Sequence, residues 1–168
     1  PGWEPESEPV SLPPCPLWWE RHSPPAQAQA CPFPRWIEPM LAQLGEAFSS
    51  PDFAFEMKWD GFRALAFRQE GELRLLSRKG NSLLRSMPEL SVLSTAFQAR
   101  EFVLDGEIVC LDAEGIPQFQ KLQTRAQASQ AQRLSQTNPV LYYAFDLLYL
   151  DGYELRAVPW IQRRQFLE

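Results

Sequence analysis

The sequence of 168 residues is poor in residue types on which several common kinds of site depend. A single histidine, His22, excludes histidine-based catalytic triads and metal sites built from several histidines. Three cysteines, Cys15, Cys31 and Cys110, are too few and too scattered for a disulfide framework. No apolar run approaches the roughly 18 residues of a membrane-spanning helix, so the sequence predicts no membrane partner. Lysine is scarce too, with three residues against 13 arginines.

The charge is spread unevenly along the chain. The net charge of −5 argues at first against a polyanionic partner. Residues 1–56 carry −6 and residues 86–168 carry −3, whereas residues 57–85 carry +4. Phosphate groups would therefore bind at the segment 57–85, where the positive charge is concentrated.

Proline divides the chain into two parts. Ten of the 16 prolines lie in residues 1–34, which show no helix or strand period and are predicted to form a Pro-rich linker or tail. Residues 35–168 are predicted to fold. Strands are predicted at 53–57, 62–68, 73–77, 102–111 and 140–150, a helix after a capping box at 86–89, a helix at 118–125, a loop or weak helix at 127–138, and a last helix from Pro159. This irregular interleaving favours the α+β class.

Lys58 stands in the motif Lys-Trp-Asp-Gly-Phe-Arg at residues 58–63, after a predicted apolar strand. A lysine in a low-dielectric pocket can lose its proton and attack an electrophile, which arginine cannot do because it stays protonated. A strand-end lysine that pairs with Asp60 across a turn is the alternative, and it is the commoner arrangement for an isolated motif.

Asp105 and Glu107 lie two residues apart in the predicted strand 102–111. On a regular strand they share a face, about 6.6 Å apart. Carboxylates in an apolar strand are costly unless a partner satisfies them, and Mg²⁺, an arginine or a ribose hydroxyl would each do so. An Asp-Gly bulge with surface acids is the alternative.

Two further segments carry candidate binding residues. Phe145, in the almost continuously apolar strand 140–150, has a ring that could stack on a base, although a core position is commoner for such a residue. Residues 77–81, Ser-Arg-Lys-Gly-Asn, form a basic hairpin end that suits either a phosphate contact or a solvated turn.

Taken in order, these segments resemble the motifs of the ATP-dependent DNA ligases, within the covalent nucleotidyltransferases. The matching motifs are Lys-x-Asp-Gly-x-Arg at 58–63, Ser-Arg-Lys-Gly at 77–80, Asp-Gly-Glu at 105–107 and Phe-Asp-Leu-Leu at 145–148. The stretches at 39–42 and 119–123 are most similar to bacterial end-joining ligases of the ligase D type. The resemblance covers residues 35–168 and implies the N-terminal part of an ATP-grasp-like adenylation (nucleotidyltransferase) domain, with mainly antiparallel sheets and interleaved helices.

The resemblance implies ATP and Mg²⁺ or Mn²⁺ as cofactors and nicked or broken double-stranded DNA as substrate. Lys58 would form a lysyl-AMP, AMP would pass to the 5′-phosphate of a nick, and the 3′-hydroxyl would displace it. The implied contacts are Glu56 at the adenine pocket, Arg63 at the ribose or nick phosphate, Arg78 at a phosphate, Glu107 at the ribose or a metal, and Phe145 against adenine. The motif residues without an assigned role are Asp60, Gly61, Asp105 and Asp146.

Two later family motifs are not found in the sequence. These are a Glu-Gly strand, expected after the last predicted helix, and a Lys-x-Lys motif, since no lysine follows Lys121. We therefore expect a C-terminally truncated adenylation domain without its oligonucleotide-binding-fold partner, inactive or poorly active alone. An RNA ligase, a messenger-RNA-capping type of nucleotidyltransferase and a non-catalytic nucleic-acid-binding relative are the alternatives. The resemblance alone implies a cytoplasmic bacterial location and end-joining partner factors.

Overall fold

A computed structural model describes residues 18–20, 22–127 and 131–167. The six strands are β1 (Gln29–Ala30), β2 (Phe62–Gln69), β3 (Glu72–Ser77), β4 (Phe102–Val109), β5 (Leu141–Leu150) and β6 (Tyr153–Glu154). The helices are α1 (Phe119–Gln127), α2 (Ala131–Thr137) and α3 (Trp160–Gln165), with 3₁₀ helices at Trp18–Glu20 and Pro88–Ser94. An antiparallel sheet with separate helices confirms the predicted α+β class.

The strands form one sheet in the order β1-β6-β5-β4-β2-β3, and all the neighbouring pairs are antiparallel. The predicted strands at 62–68, 73–77, 102–111 and 140–150 correspond to β2, β3, β4 and β5, and the predictions at 118–125, 127–138 and from Pro159 correspond to α1, α2 and α3. None of the helices within the described residues has the length and apolar character needed to cross a membrane.

Successive side chains of a strand point to opposite faces of the sheet, and here apolar side chains form a layer on each face. On the face that we call the helical face, Ala64 and Ala66 belong to the same buried cluster as Leu90 of the second 3₁₀ helix and Leu122 of α1. The buried residues of the other face are Leu65, Phe67, Val103, Leu148 and Tyr149, under Ile37. We call this side the N-terminal face because Ile37 and its neighbours in the chain cover it.

Several residues between Trp18 and Phe33, in the stretch predicted as a linker or tail, contact the sheet. β1 pairs with β6, the Trp19 indole donates a hydrogen bond of 2.9 Å to a β5 carbonyl, and the Phe33 ring meets the Tyr149 ring edge-on at 5.2 Å. Aromatic side chains supply these contacts without any periodic pattern, which is why the sequence does not reveal them. Residues 1–17, the other half of the predicted linker 1–34, lie outside the described residues.

Glu89 does not close the predicted capping box. The helix that it was expected to cap is a 3₁₀ helix with Met87 at its N-cap position and no side-chain cap. The Ser86 hydroxyl donates to a backbone carbonyl, and the Glu89 carboxylate accepts two hydrogen bonds, 2.6 and 2.7 Å long, from Arg125. Arg125 is fully buried. Leaving a buried guanidinium without a carboxylate partner costs more free energy than leaving a helix end without a cap.

The chain from residue 38 to residue 60, called here the 38–60 segment, has no helix or strand. The strand predicted at 53–57 is therefore wrong. The large apolar side chains that the segment exposes are Met40, Leu41, Leu44, Phe48, Phe53, Phe55 and Met57. A strand is stable only when a neighbour pairs with it and its apolar side is covered, and no strand of the described chain pairs with this segment.

Candidate active site

Arg63 and Asp105 form a partly buried ion pair on the N-terminal face. β2 begins directly after the motif glycine, and alternation along it puts Arg63 on the same face as Leu65. The Arg63 Nε donates to Asp105 Oδ1, and its Nη2 donates to Asp105 Oδ2, both at 2.6 Å. Of the partners considered for the carboxylates of β4, an arginine is thus the one that satisfies Asp105.

Burial and pairing act on the charges of this pair in opposite directions. Burial raises the pKa of Asp105, and the hydrogen bonds from Arg63 oppose that rise. The hydrogen bond to Asp105 raises the pKa of Arg63 above its ordinary value, so the guanidinium stays charged. Because a guanidinium has more N–H groups than one carboxylate can accept, Arg63 can still donate to a ribose hydroxyl or a phosphate.

Glu107 is the Cα partner of Arg63 across the β2–β4 ladder and lies half-buried on the same face. Desolvation raises the pKa of the Glu107 carboxyl, while the positive charges of Arg63 and Lys58 lower it. The charge of the motif lysine is therefore felt at the second carboxylate of the Asp-Gly-Glu motif.

Phe145 is the extra residue in a bulge of β5. The residues on either side of it pair with consecutive residues of β4, which leaves Phe145 without a partner across the ladder. The guanidinium carbon of Arg63 lies 4.8 Å from the centroid of the Phe145 ring, a cation–π distance. The ring is thus on the N-terminal face, and Arg63 occupies one of its two sides.

The Lys58 side chain is exposed and forms no ion pair with any residue that the structure describes. This exposure differs from the low-dielectric environment expected for a nucleophilic lysine, and among the described residues the alternative ion pair with Asp60 is not formed either. Glu56 and Asp60 are exposed as well. The physical reason is that all three side chains belong to the 38–60 segment, which has no helix or strand and is exposed over most of its length.

Gly61, at the junction of the 38–60 segment and β2, has a clear geometric role. A Cβ atom at this position would lie 2.1 Å from the carbonyl oxygen of Ile108. Only glycine therefore allows the start of β2 to run this close to β4, which explains the glycine of the Lys-x-Asp-Gly motif in this chain.

One aromatic contact of the motif was not predicted from the sequence. The Trp59 indole stacks on the Tyr143 ring with the centroids 4.1 Å apart and the planes 16° from parallel. Tyr143 is the Cα partner of Glu107 in the β4–β5 ladder, so the stack ties the residue next to Lys58 to the N-terminal face. In the sequence, the only indication of this stack is one aromatic residue beside the motif lysine and another at an alternate position of β5.

Gly106, between the two carboxylates, makes room for Tyr142 on the helical face. A Cβ there would lie 2.5 Å from the Tyr142 ring, whose hydroxyl lies 3.0 and 3.2 Å from two backbone carbonyl oxygens. Burial raises the pKa of Tyr142 well above its ordinary value. The expected alternative of a bulge with surface acids does not hold, since Asp105 is buried and the bulge belongs to β5.

The basic hairpin end at residues 77–81 is an exposed turn. The Gly80 N–H donates to the carbonyl of Ser77 at 2.8 Å, and Gly80 has a φ of 78°. Ser77 pairs with Ala64 near the start of β2, so Arg78 lies at the end of the sheet that the 38–60 segment enters. The turn adds positive charge there.

Asp146 of the Phe-Asp-Leu-Leu motif pairs with α3. Its Oδ1 and Oδ2 accept hydrogen bonds from Nε and Nη2 of Arg163 at 2.7 and 2.8 Å. Arg63, Asp105, Glu107 and Phe145 therefore form one cluster on the N-terminal face, and Asp146 is attached to it through the backbone of β5.

The carboxylates of this face suit a metal ion that is bound jointly by the protein and a nucleotide. The described residues contain no group of three or more His, Cys, Asp or Glu side chains that could hold a metal. Asp105 is engaged with Arg63, which leaves Glu107 as the carboxylate available on this face. Mg²⁺ commonly binds one or two protein carboxylates together with substrate phosphates, so Glu107 would hold such an ion jointly with a nucleotide.

The sequence matches known ligases over most of its length. The family model of the ATP dependent DNA ligase domain matches residues 39–168. The chain is 37% identical over 137 residues to the multifunctional non-homologous end joining protein LigD of Pseudomonas aeruginosa, which is 82% of this chain and 16% of that protein. It is 37% identical to DNA ligase C2 of Mycolicibacterium smegmatis, across 79% of this chain and 37% of that protein.

The fold matches the same group of enzymes. The ligase domain of M. tuberculosis LigD superposes with a TM-score of 0.56 at 37% sequence identity, covering 67% of this chain and 34% of that domain. A mycobacterial DNA ligase D solved with ATP matches equally well. The chain spans less than two thirds of the length of each of these relatives. The extent of the family match establishes that the chain belongs to the ATP-dependent DNA ligase domain family.

Proposed function

We propose that the chain is the part of an ATP-dependent DNA ligase that provides the nucleophile and part of the nucleotide site. Lys58 is the nucleophile of this proposal. Arg63 binds the ribose or the nick phosphate, and Glu107 binds the ribose or a metal ion that it holds together with the nucleotide. Arg78 contacts a phosphate, and Phe145 stacks on adenine. Glu56 lines the adenine pocket.

The proposed reaction has three transfers. The Lys58 amine, after losing a proton, attacks the α-phosphate of ATP, so that an N–P bond forms and the P–O bond to pyrophosphate breaks. The AMP group then moves to the 5′-phosphate of DNA, which frees Lys58. Finally the 3′-hydroxyl attacks that phosphate, loses its proton and releases AMP. Such chemistry depends on positioning and on cations more than on acid–base residues, which agrees with a chain that has one histidine.

The observation that supports the proposal is the cluster of Arg63, Asp105, Glu107 and Phe145 at the point where the Lys58 motif enters the sheet. It combines a charged guanidinium, a half-buried carboxylate and an aromatic ring on one face. A nucleotide offers the matching groups, namely phosphates, ribose hydroxyls and a flat base.

The experiment is adenylation of the gene product that carries this chain, with ATP labelled at the α-phosphate and Mg²⁺ or Mn²⁺. We expect the label on the protein with α-labelled ATP and none with γ-labelled ATP. Lys58→Ala should abolish labelling, and Lys121→Ala, which removes another exposed lysine, should retain it. Labelling that survives Lys58→Ala would reject Lys58 as the nucleophile, and preference for GTP would favour a capping-type enzyme.

The chain of 168 residues alone is a second, separate test. Because the Lys58 side chain is exposed, we expect little labelling of this chain by itself. Strong labelling would show that its own residues are sufficient. Sealing of nicked duplex DNA by the gene product, compared with nicked RNA and with broken duplex ends, then identifies the substrate.

A further inference from the structure

The position of Phe145 depends on a distortion of β5, and that distortion has a specific support. The backbone pairing of β4 and β5 skips Phe145, so the hydrogen-bonded ladder does not hold this residue in place. The next residue, Asp146, is held by side-chain contacts instead. Its Oδ1 accepts the backbone N–H of Leu147 at 2.8 Å, and both carboxylate oxygens are bound by Arg163.

Arg163 is well placed to act as a fixed support. Only 12% of its side chain and 15% of the Asp146 side chain are exposed, so solvent screens this ion pair less than a surface pair. The Nη1 group of Arg163 also donates to the backbone carbonyls of Val158 and Arg156, which precede α3. The guanidinium of Arg163, in the last turn of α3, thus connects this helix to the bulge of β5 and to the chain that precedes the helix.

Along most of one edge, β5 is contacted by the helix α3 and not by another strand of the described chain. β6 pairs only with Tyr149 and Leu150, so the rest of β5 lacks a strand neighbour on that side among the described residues. α3 contacts β5, and Arg164 donates to the carbonyl of Ala144 at 3.3 Å. Arginines of α3 therefore contact the residues on both sides of Phe145.

We propose that Arg163, acting through Asp146, is a positioning residue that holds the bulge of β5 and thereby presents the Phe145 ring to the nucleotide. This inference deepens the proposed function, since the base-stacking role of Phe145 rests on it. The positioning itself, however, can be measured without any nucleotide.

The first test is the NMR signals of the Phe145 ring in the 168-residue chain, labelled with ¹³C at phenylalanine and assigned with Phe145→Leu. Arg163→Met should shift the ring signals and remove their contacts with the Arg63 side chain. Arg125→Met is the matched control, because Arg125 is also a buried arginine that binds a carboxylate through a hydrogen-bonded pair, with Glu89. The control should leave the Phe145 signals in place.

Unchanged Phe145 signals in folded Arg163→Met would overturn the proposal. If that variant does not fold, Arg163→Lys provides the same decision, because lysine retains the charge but cannot form the two parallel hydrogen bonds. In Arg163→Lys the Phe145 signals should shift by a smaller amount than in Arg163→Met. Signals identical to those of the wild type would again overturn the proposal.

The second test is ATP affinity in the gene product. Arg163→Met should weaken ATP binding about tenfold, the order of one lost stacking contact, and leave the affinity for inorganic tripolyphosphate unchanged. In a Phe145→Ala background, Arg163→Met should cause no further loss of ATP affinity. Additive losses would show that Arg163 does not act through Phe145 and would reject the inference.

The two tests separate this inference from the proposed function. If Phe145→Ala itself leaves ATP affinity unchanged, the stacking role fails, and the ring signals still decide whether Arg163 positions Phe145. If the ring signals do not respond to Arg163, the inference fails whether or not the protein joins DNA.

Discussion

The cluster around Arg63 and the 38–60 segment contribute to the same proposed site but differ in how they are held. Arg63 and Asp105 lie on neighbouring strands in the middle of the sheet, with Leu65 and Phe67 continuing the same face as a buried layer. The 38–60 segment, which carries Lys58, exposes most of its apolar side chains and has no regular structure. The cluster around Arg63 is therefore built into the fold, whereas the segment with Lys58, the proposed nucleophile, contacts it mainly through Trp59 and Gly61.

This difference indicates what the proposed nucleophile lacks. A lysine reacts as a free amine only when burial or a neighbouring cation favours loss of its proton. The segment around Lys58 has the apolar residues for such an environment, but in the described chain they face solvent. This exposure is the reason for the weak labelling expected of this chain alone.

The largest expected difference between the two regions is the loss of stability when one methyl group is added to a glycine of each region. Gly106→Ala should lower the free energy of unfolding by about 3 kcal/mol, because its Cβ would overlap both the Tyr142 ring and a backbone carbonyl at 2.5 Å. Gly45→Ala, in the 38–60 segment, meets nothing within 4 Å and should change it by less than about 0.5 kcal/mol. Urea unfolding of the two variants measures both values. Equal losses would mean that the segment is packed as tightly as the sheet.

An intermediate effect is expected from removing one carboxylate charge. Asp105→Asn should cost about 2 kcal/mol, since it leaves the Arg63 guanidinium partly buried without its anionic partner. Asp52→Asn, the same change at an exposed position of the 38–60 segment, should have almost no effect. Thermal unfolding at constant pH and salt checks the pair. A stable Asp105→Asn protein would show that the ion pair contributes little to the fold.

The smallest expected effect is a change in the pKa of Glu107, in the cluster, when the charge of Lys58 in the 38–60 segment is removed. The Glu107 carboxyl should titrate above its ordinary pKa, because desolvation, helped by the negative charges of Asp105 and Asp60, raises that pKa against the lowering by Arg63 and Lys58. Lys58→Ala should raise the pKa of Glu107 further by removing one of those positive charges. The ¹³C shift of the carboxyl carbon, followed against pH by NMR, gives both values. No response to Lys58→Ala would place the 38–60 segment away from the cluster in solution.

The same shift has a consequence for stability. With its pKa raised in the folded state, the Glu107 carboxyl holds its proton more tightly there than in the unfolded chain. Its contribution to stability is therefore fully present below the ordinary pKa of glutamate and is lost as the pH rises through the raised value. Glu107→Gln should remove this part of the pH dependence.

Much of the sheet could be predicted from local patterns. Alternating or continuous apolar runs identify β2 to β5 because each strand buries at least one face. The same reasoning fails at residues 53–57, where no strand of the described chain pairs with the apolar run. It also fails at Glu89, whose carboxylate binds a buried arginine far along the chain. The packing of Trp18–Glu20 and of Phe33 was missed because isolated aromatic contacts leave no periodic signal.

The sequence by itself determined which residue types are available for chemistry. It contains one lysine in a motif with Asp60, Gly61 and Arg63, two carboxylates two residues apart, and an aromatic residue beside Asp146. The tertiary structure decided their partners. The register of β2 and β4 places Glu107 directly across from Arg63, but the guanidinium pairs with the diagonal neighbour Asp105 and leaves Glu107 available. A bulge supported by Arg163 presents Phe145, and Lys58 remains exposed. The physical reason is that partners in a sheet come from distant parts of the chain, so spacing along one strand predicts a shared face but not what lies across from it.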